Sequence, residues 1–252
     1  MTEVEGDRIA KCIARAGLCS RREAERWIAA GRVAVDGKTL QSPAFNVLPG
    51  VRVTVDGNPL PAAQPTRVWR FHKPAGAITT NRDPQGRPTI FDLLWSDLPR
   101  VVTVGRLDFN SEGLLLLTND GEIARRLEHP ETGWRRRYRV RVHGAVDEDR
   151  LASLNRGVTI DGIRYGRIEA QLEREQRANA WLSVSLNEGK NREVKRVCEH
   201  LGLQVTRLIR ISYGPFQLGN LLRGKIAEVP RKTLVEQIGS GKRRPRRAHH
   251  RG

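Results

Sequence analysis

The apolar positions at the start of the chain have the spacing of two short helices. They recur at helical intervals from residue 9 to residue 16, and Gly17 then predicts the end of the first helix. Ser20, followed three residues later by Glu23, is typical of a capping box and predicts the start of a second helix. The runs "RVAVDG" and "VRVTVDG" then alternate apolar and polar residues and end in Asp-Gly, which indicates strands closed by tight turns. A small helix-helix-strand unit is therefore predicted.

A different pattern begins near Val68, after the proline-containing linker "NPLPAAQPT". Strand-like runs recur at "VWRFHK", "VVTV", "LLLLT", "RYRVRVHG", "RIEAQL" and "WLSVSL", and helical patterns at "EIARRLEH", "EDRLASLN" and "REVKRVCEHLG". The pattern predicts an α+β fold, in which a small N-terminal domain precedes a domain built on a large mixed, mostly antiparallel sheet with flanking helices. We expect domains at 7–62 and 68–238 and a tail at 239–252.

Composition predicts a globular, cytoplasmic protein. The chain has 252 residues, of which 38% are hydrophobic, and that is enough to bury a core. Its longest aliphatic run, residues 114–117, is far shorter than the roughly 20 residues of a membrane span, and the acidic N-terminus does not have the pattern of a signal peptide. The three cysteines lack the paired spacings of a disulfide framework or a zinc site and are expected to be buried or partly buried.

The strongest compositional signal for a binding partner is the formal net charge of +17. Clustered Lys and Arg favour a nucleic acid partner, because they bind phosphate backbones and release counterions. A solubilising surface or an anionic membrane face is the alternative that composition leaves open. Residues 239–252 contain six basic residues and no acid, which predicts a basic, disordered tail.

The predicted N-terminal helices have a basic face, since seven basic residues outnumber two acids between residues 8 and 32. The stretch "GLCSRREAERWIAAGRVAVDG" resembles the RNA-binding module of ribosomal protein S4, whose Ser-Arg-Arg turn faces structured RNA. The alternative is a solvated amphipathic helix pair whose charges only confer solubility. Nothing resembles a helix presented to the major groove of DNA, so RNA is favoured. The expected RNA contacts are Lys11, Arg15, Ser20, Arg21, Arg22, Arg26 and Arg32.

A single acid, Asp108, stands out in "GRLDFNSEGLLLLTNDG". The preceding valines predict a strand that ends at Gly105, residues 106–113 a loop, and the four leucines a buried central strand. Asp108 would then lie on a loop braced by two buried strands, where catalytic groups are held firmly. From spacing alone, however, an Asp at such a corner is more often a turn former or a helix cap.

The sequence of this stretch resembles that of the RsuA/RluB branch of the ribosomal RNA pseudouridine synthases, which isomerise uridine. The blocks "FHKPAG", "NRDPQGRPTIFDLL", "RRYRVRVHG", "NEGKNREVKR" and "RLIRISYG" also match that branch, in order. The resemblance spans about residues 7–238. The matching sequence blocks are closer to the large-subunit enzymes of the branch than to the small-subunit enzymes. It implies a catalytic domain of the pseudouridine synthase fold.

The resemblance implies a catalytic set of Asp108, Tyr138 and Lys195. The reaction breaks the bond from ribose to the base nitrogen, turns the uracil and forms a bond to carbon 5. A carboxylate suits this work because it is ionised at neutral pH and can attack an electron-poor ribose carbon or abstract a ribose proton. Tyr138 would stack on the base and move the proton of carbon 5, while Lys195 stands where the superfamily commonly has an arginine paired with the aspartate. No metal, redox centre or other cofactor is expected.

Several further residues are expected to contact RNA. The resemblance places Arg106 against the vacated stack after base flipping, with a plain phosphate clamp as the alternative. Leu208 would pack under the base or simply belong to the core, and Tyr138 would otherwise be an ordinary half-buried strand residue. The remaining expected contacts are Lys73, Arg192 and Arg196; a solvated helix face is the alternative around Lys195.

Two classes of function follow from these expectations. In the first, the chain is an RNA-modifying isomerase that acts as a monomer on ribosomal RNA or an assembly intermediate, with large-subunit RNA favoured over small-subunit RNA. In the second, it is an RNA-binding assembly factor without catalysis. The lone acid among cations favours the enzyme, because a clamp does not need it. A DNA-binding regulator has only charge in its favour.

Overall fold

A computed structural model describes residues 6–238 of the chain. The chain forms two compact units. The first contains the described residues up to Thr66 together with Trp95–Val104 and Leu117–Leu127; the second contains Arg67–Leu94, Gly105–Leu116 and the described residues from Glu128 onward. Across the described residues, no helix is both long and apolar enough to cross a membrane. The predicted basic tail at 239–252 lies outside the described residues.

The described chain contains six α-helices among longer runs of consecutive strands. The α-helices are α1 (Ile9–Arg15), α2 (Arg21–Ala29), α3 (Gly121–Glu128), α4 (Glu148–Ser153), α5 (Glu193–His200) and α6 (Arg231–Ile238). The strands are β1 (Asp7–Arg8), β2 (Val33–Val35), β3 (Lys38–Thr39), β4 (Asn46–Val47), β5 (Val53–Val55), β6 (Asn58–Pro59), β7 (Val68–Lys73), β8 (Val102–Val104), β9 (Ser111–Thr118), β10 (Arg136–His143), β11 (Val158–Ile160), β12 (Ile163–Tyr165), β13 (Ile168–Gln176), β14 (Asn179–Leu186), β15 (Gln204–Tyr213), β16 (Phe216–Gln217) and β17 (Ile226–Glu228). Short 3₁₀ helices occupy Phe91–Leu93, Pro130–Thr132 and Leu154–Arg156.

The first unit confirms the predicted N-terminal helix pair. The hydroxyl of Ser20 accepts a hydrogen bond from the backbone N–H of Glu23 at 3.1 Å, so Ser20 caps α2. The Glu23 carboxylate accepts instead from Arg26 at 2.7 Å, so only the serine half of the predicted capping box is observed. The helices pack their apolar stripes on the strands through a core that includes Ile13, Ile28 and Val33.

Both predicted Asp-Gly turns of the first unit are also confirmed. Asp36 and Gly37 have φ of 47° and 81°, and Asp56 and Gly57 have φ of 49° and 78°. Positive φ at both central residues is the geometry of a type I′ turn, which matches the twist of two-residue hairpins. The turns close β2 on β3 and β5 on β6, in a four-stranded sheet ordered β3-β2-β5-β6.

Nine of the strands from Val68 onward form one sheet. Its order is β13-β14-β10-β15-β9-β7-β17, with β16 beside β15 and β8 beside β9. The pair β9–β15 is parallel, whereas β13–β14, β10–β14, β10–β15, β15–β16 and β7–β17 are antiparallel. The predicted mixed, mostly antiparallel sheet is therefore confirmed, and the leucine strand β9 is central and buried along its whole length.

Strand β10 shows how the sheet separates a core face from a solvent face. Its residues alternate between buried and exposed from Arg136 to His143. Tyr138 and Val140 belong to a core cluster that also contains Val194 and Cys198 of α5. Burial raises the pKa of the Cys198 thiol to about 12, as expected for a small core residue rather than a reactive thiol.

The longest strand of the sheet, β15, was not predicted. Arginines at 207 and 210 interrupt its apolar pattern, yet Arg210 is buried and its Nε donates to the Leu114 carbonyl at 2.7 Å. Gly113 of β9, with φ of 101°, allows β15 to approach closely, since a Cβ at this position would lie 2.3 Å from the Arg210 carbonyl oxygen. Because β9 and β15 are parallel neighbours, this approach fixes the strand that follows the Asp108 loop.

Candidate active site

Asp108 lies on the short loop between β8 and β9. The loop is shorter than predicted, because β9 begins at Ser111 rather than after Gly113. Within it, the backbone N–H of Ser111 donates to the Asp108 carbonyl at 3.0 Å, and Leu107 is buried. The Asp108 side chain is 37% exposed, so its carboxylate is accessible to a large substrate while its backbone is held.

Lys195 and Asp108 lie together although they are far apart in the chain. The Lys195 Nζ is 3.6 Å from the Asp108 Oδ2. Lys195 is on α5 and its side chain is only 13% exposed, so the ammonium is presented to the carboxylate from a rigid, packed element. The separation is that of an ion pair and exceeds a normal hydrogen bond, consistent with a point charge rather than a two-pronged contact.

Lys73, at the end of β7, is fully buried. Its Nζ donates to the carbonyls of Pro74 and Asp108, each at 3.0 Å, Phe109 at 3.2 Å and Ser111 at 2.9 Å. Three of these four acceptors belong to the Asp108 loop or the first residue of β9. The predicted contact between Lys73 and RNA does not fit this arrangement, because the ammonium is occupied and inaccessible. Lys73 instead holds the backbone on both sides of the Asp108 side chain.

The buried ammonium of Lys73 makes the stability of the protein depend on pH. Burial lowers the pKa of Lys73 from 10.5 to about 8; the carboxylates of Asp108 and Glu112 oppose this shift, and Lys195 adds to it. Because the folded-state pKa lies below the unfolded one, the unfolded chain binds more protons between pH 8 and pH 10.5, and the free energy of unfolding rises with pH there. The difference between 10.5 and about 8 corresponds to a rise of at most about 3 kcal/mol in the free energy of unfolding. The four carbonyls that accept from the ammonium favour its charged form, so the rise should be smaller than this limit.

Urea unfolding of the wild type and of Lys73→Met at pH 7, 8, 9 and 10 measures this linkage. The difference in free energy of unfolding between the two proteins should shift in favour of the wild type as the pH rises above 8. A difference that stays constant across the series would contradict a depressed pKa for Lys73.

A second brace holds the start of the same loop. The Thr79 hydroxyl accepts from the backbone N–H of Leu107 at 3.2 Å and donates to its carbonyl at 2.8 Å, and the N–H of Gly105 donates to the Glu128 carboxylate at 2.6 Å. Sequence analysis missed Thr79 and Glu128. The position of Thr79 just after "FHKPAG" was its only signal, since a threonine in a loop has no pattern of its own.

Glu112, one strand residue beyond the loop, was also missed. Its carboxylate is buried, accepts hydrogen bonds from Arg207 at 2.8 and 3.1 Å, and forms an ion pair with Arg223 at 2.7 Å. Although burial opposes it, the hydrogen bonds and charge of Arg207, with the charge of Arg223, hold the pKa of Glu112 below its ordinary value. The trio ties β9 to β15 and to the chain before β17, which fixes the strand that begins at the loop.

The other residues of the predicted catalytic centre have different environments. Tyr138 is buried in the core cluster, 8% exposed. Leu208 belongs to the same cluster, which fits the core alternative that the sequence left open. Arg106 is exposed, and its side chain forms no hydrogen bond, ion pair or ring contact with the described residues. Phe109, directly after Asp108, was not predicted as a site residue, yet its side chain is 38% exposed.

The remaining predicted cations, Arg192 and Arg196, lie at the start of helix α5. Arg192 precedes the helix with φ of 52° and lies 3.7 Å from Glu199, and Arg196 is half-buried. The neighbouring Glu193 is buried, and burial raises its pKa. One of its oxygens accepts from the N–H of Lys190 at 2.9 Å. Glu193 thus closes the turn that begins α5, which positions Lys195.

The predicted contacts of the N-terminal helices fall into three groups. Ser20 acts as a helix cap, and Arg21 and Arg22 are exposed without a partner among the described residues. The others pair with acids: Lys11 with Asp7 and Glu122, Arg15 with Asp120, Arg26 with Glu23, and Arg32 with Asp56. Arg21 and Arg22 therefore have the charge most available to RNA.

Comparison with known proteins connects this geometry to a reaction. The RNA pseudouridylate synthase family model matches residues 67–200, a range that contains Lys73, Asp108 and Lys195. This chain is a member of that family. The S4 domain model matches residues 7–53. The protein is therefore a pseudouridine synthase with an N-terminal S4 domain, as the sequence predicted.

Curated relatives support the same family over nearly the whole chain. An RNA pseudouridine synthase of Rickettsia prowazekii is 46% identical over 92% of this chain and 97% of its own length. The ribosomal large subunit pseudouridine synthase B of Salmonella typhi is 44% identical over 84% of this chain and 75% of its own length. A crystal structure of a pseudouridylate synthase matches with a TM-score of 0.63 and 25% identity, covering 92% of this pseudouridine synthase and 99% of that chain.

Proposed function

We propose that this pseudouridine synthase isomerises a uridine of ribosomal RNA, in the large subunit, with Asp108 as its catalytic carboxylate. The observation that carries the proposal is the Asp108–Lys195 pair, an acid and an ammonium 3.6 Å apart on a braced loop and a packed helix. The likeness to the large subunit synthase of Salmonella typhi supports the choice of RNA. A net charge of +17 fits a polyanionic substrate.

In the proposed reaction no atom is gained or lost. The bond from ribose C1′ to N1 of uracil breaks, the base turns and a bond from C1′ to C5 forms. The proton then leaves C5 and N1 takes up a proton, so the product has the same atoms as the substrate. The Asp108 carboxylate attacks C1′ or removes a ribose proton; both routes need an ionised carboxylate that the chain holds still. Lys195 aligns it by charge attraction, and Tyr138 stacks on the base and passes on the proton that leaves C5.

The base must leave its stack before Asp108 can reach the glycosidic bond. We assign Arg106, exposed two residues before Asp108, to the space that the base vacates or to the adjacent phosphate. Residues 7–62 form the RNA-binding domain in this proposal, and residues 68–238 the catalytic domain. The enzyme works as a monomer in the cytoplasm, because Asp108 and Lys195 come from one chain and ribosomal RNA is the substrate.

Pseudouridine mapping tests the proposed function. Unmodified large- and small-subunit ribosomal RNA are incubated with the protein, labelled with carbodiimide and mapped by reverse-transcription stops. We expect a new stop in large-subunit RNA that is absent without enzyme. A stop only in small-subunit RNA would retain the chemistry and overturn the choice of subunit. Tight binding with no stop, on naked RNA and on assembly intermediates alike, would favour the assembly factor.

A further inference from the structure

The outward face of the nine-stranded sheet carries a row of arginines on the side opposite Tyr138. Along β10, Arg137, Arg139 and Arg141 are exposed, while the residues between them point into the core. Arg141 is the cross-strand partner of Trp181 on β14, and Trp181 is the partner of Arg174 on β13. Because cross-strand partners share one face, these side chains lie side by side on solvent-exposed sheet. We call the set Arg137, Arg139, Arg141, Arg174 and Trp181 the outer face.

Three of these arginines form no ion pair with a carboxylate in the part of the chain that the structure describes. Arg137 donates to the neutral side chains of Ser212 at 3.1 Å and Gln217 at 2.8 Å. The guanidinium groups of Arg141 and Arg174 have no partner in the part of the chain that the structure describes. Opposite charges on facing strands stabilise a sheet, whereas like charges directly opposite each other destabilise it. The outer face therefore retains positive charge that the fold does not use.

The fourth arginine and the tryptophan are held in place. The Arg139 guanidinium lies 4.8 Å from the centre of the Trp181 ring, and its Nε donates to Glu173 at 3.0 Å. Stacking on an aromatic ring fixes the plane of a guanidinium, which reduces the rotamer entropy that Arg139 loses when it binds. A flat, half-buried ring among arginines is the composition of surfaces that hold RNA strands.

We infer that the outer face binds the phosphate backbone of a second segment of the RNA substrate, on the opposite side of the sheet from the catalytic centre. Charge complementarity carries the inference, because a guanidinium matches a phosphate with two parallel donors. The choice of RNA over an acidic protein rests on the proposed function. A long RNA would thus contact both faces of one sheet, whereas a short hairpin that fills the catalytic centre would contact only one.

The triple variant Arg137→Gln, Arg141→Gln, Arg174→Gln tests the outer face. Its control, Arg125→Gln, Arg126→Gln, Arg231→Gln, removes the same charge from exposed arginines elsewhere, which have no ion pair among the described residues. Filter binding measures the Kd for full-length ribosomal RNA of each subunit and for a short hairpin, over a series of salt concentrations. Circular dichroism verifies that both variants fold.

We expect the outer-face variant to bind long RNA about tenfold more weakly, with a salt slope lower by about one for each phosphate that it no longer binds. Its affinity for the hairpin should equal that of the wild type, and the control should bind both RNAs normally. Equal losses of affinity in the two triple variants, or unchanged affinity for long RNA, would overturn the inference; the latter would leave an acidic protein as the partner. Because binding is measured without turnover, this test is decided even if no pseudouridine forms.

Discussion

Asp108→Asn is expected to abolish pseudouridine formation while leaving RNA binding intact. Asparagine has nearly the same shape, so the hydrogen bonds that the loop backbone makes to Lys73 and Thr79 should persist. It has no negative charge to attack the sugar or accept a proton, and Lys195 would face a neutral amide. We expect kcat to fall by at least about 10⁴-fold, the scale seen when a catalytic nucleophile is removed.

The affinity for RNA should stay the same or rise slightly, because one negative charge leaves a cationic surface. Single-turnover mapping gives the rate, and filter binding with the same RNA gives the Kd. Asp161→Asn is the matched control: it makes the same chemical change at an exposed turn with φ of 49°, a conformation that asparagine tolerates. Losses of affinity and activity by comparable factors would argue that Asp108 binds RNA rather than acting on it.

Local signals predicted much of this fold. The Ser20 cap and the two Asp-Gly turns depend on residues within a few positions of one another, so sequence alone revealed them. The leucine run predicted the buried strand β9, because only a central strand buries both faces. Strand β15 escaped prediction since Arg210 is buried through a contact with Leu114, on another strand.

The candidate site was less predictable, because it depends on contacts between distant segments. Spacing alone gave no reason to join Asp108 to Lys195, and the family resemblance supplied that pair. Lys73 did have a signal: period-two alternation places it on the same strand face as the buried Trp69 and Phe71. What the sequence could not show is that four backbone carbonyls would meet its ammonium there.

The N-terminal unit of the structure also differs from the predicted N-terminal domain, which ended at the proline-containing linker. The first compact unit is not continuous in sequence, since it includes Trp95–Val104 and Leu117–Leu127. Lys11 and Arg15 of α1 pair with Glu122 and Asp120 in the second of these segments. Cations that the sequence offered as RNA contacts thus serve folding within this unit, because burial favours pairing them with acids. Counting charges along the chain cannot separate these two uses.

Lys73→Met is expected to lower kcat by about 100-fold with little change in KM. Methionine fills the space of the lysine stem but donates no hydrogen bond. The Asp108 carbonyl would still accept from the N–H of Ser111, and the Phe109 carbonyl from the N–H of Gly76. The Ser111 carbonyl, however, would lose the hydrogen bond from Lys73 that links it to β7. The loop should shift relative to Lys195, and a displacement of about 1 Å at a reacting group costs about 10²-fold in rate.

The separation of kcat from KM distinguishes positioning from general destabilisation. Initial rates are measured against RNA concentration at a temperature well below the melting point of each protein, with circular dichroism recording the fraction folded. Lys225→Met, which removes the same charge from an exposed position beside β17, should behave like the wild type. A Lys73→Met protein with full kcat and only a lower melting point would show that Lys73 stabilises the fold without placing Asp108. A selective fall in kcat would mean that a residue buried beneath the site, with no access to substrate, sets the geometry of its carboxylate.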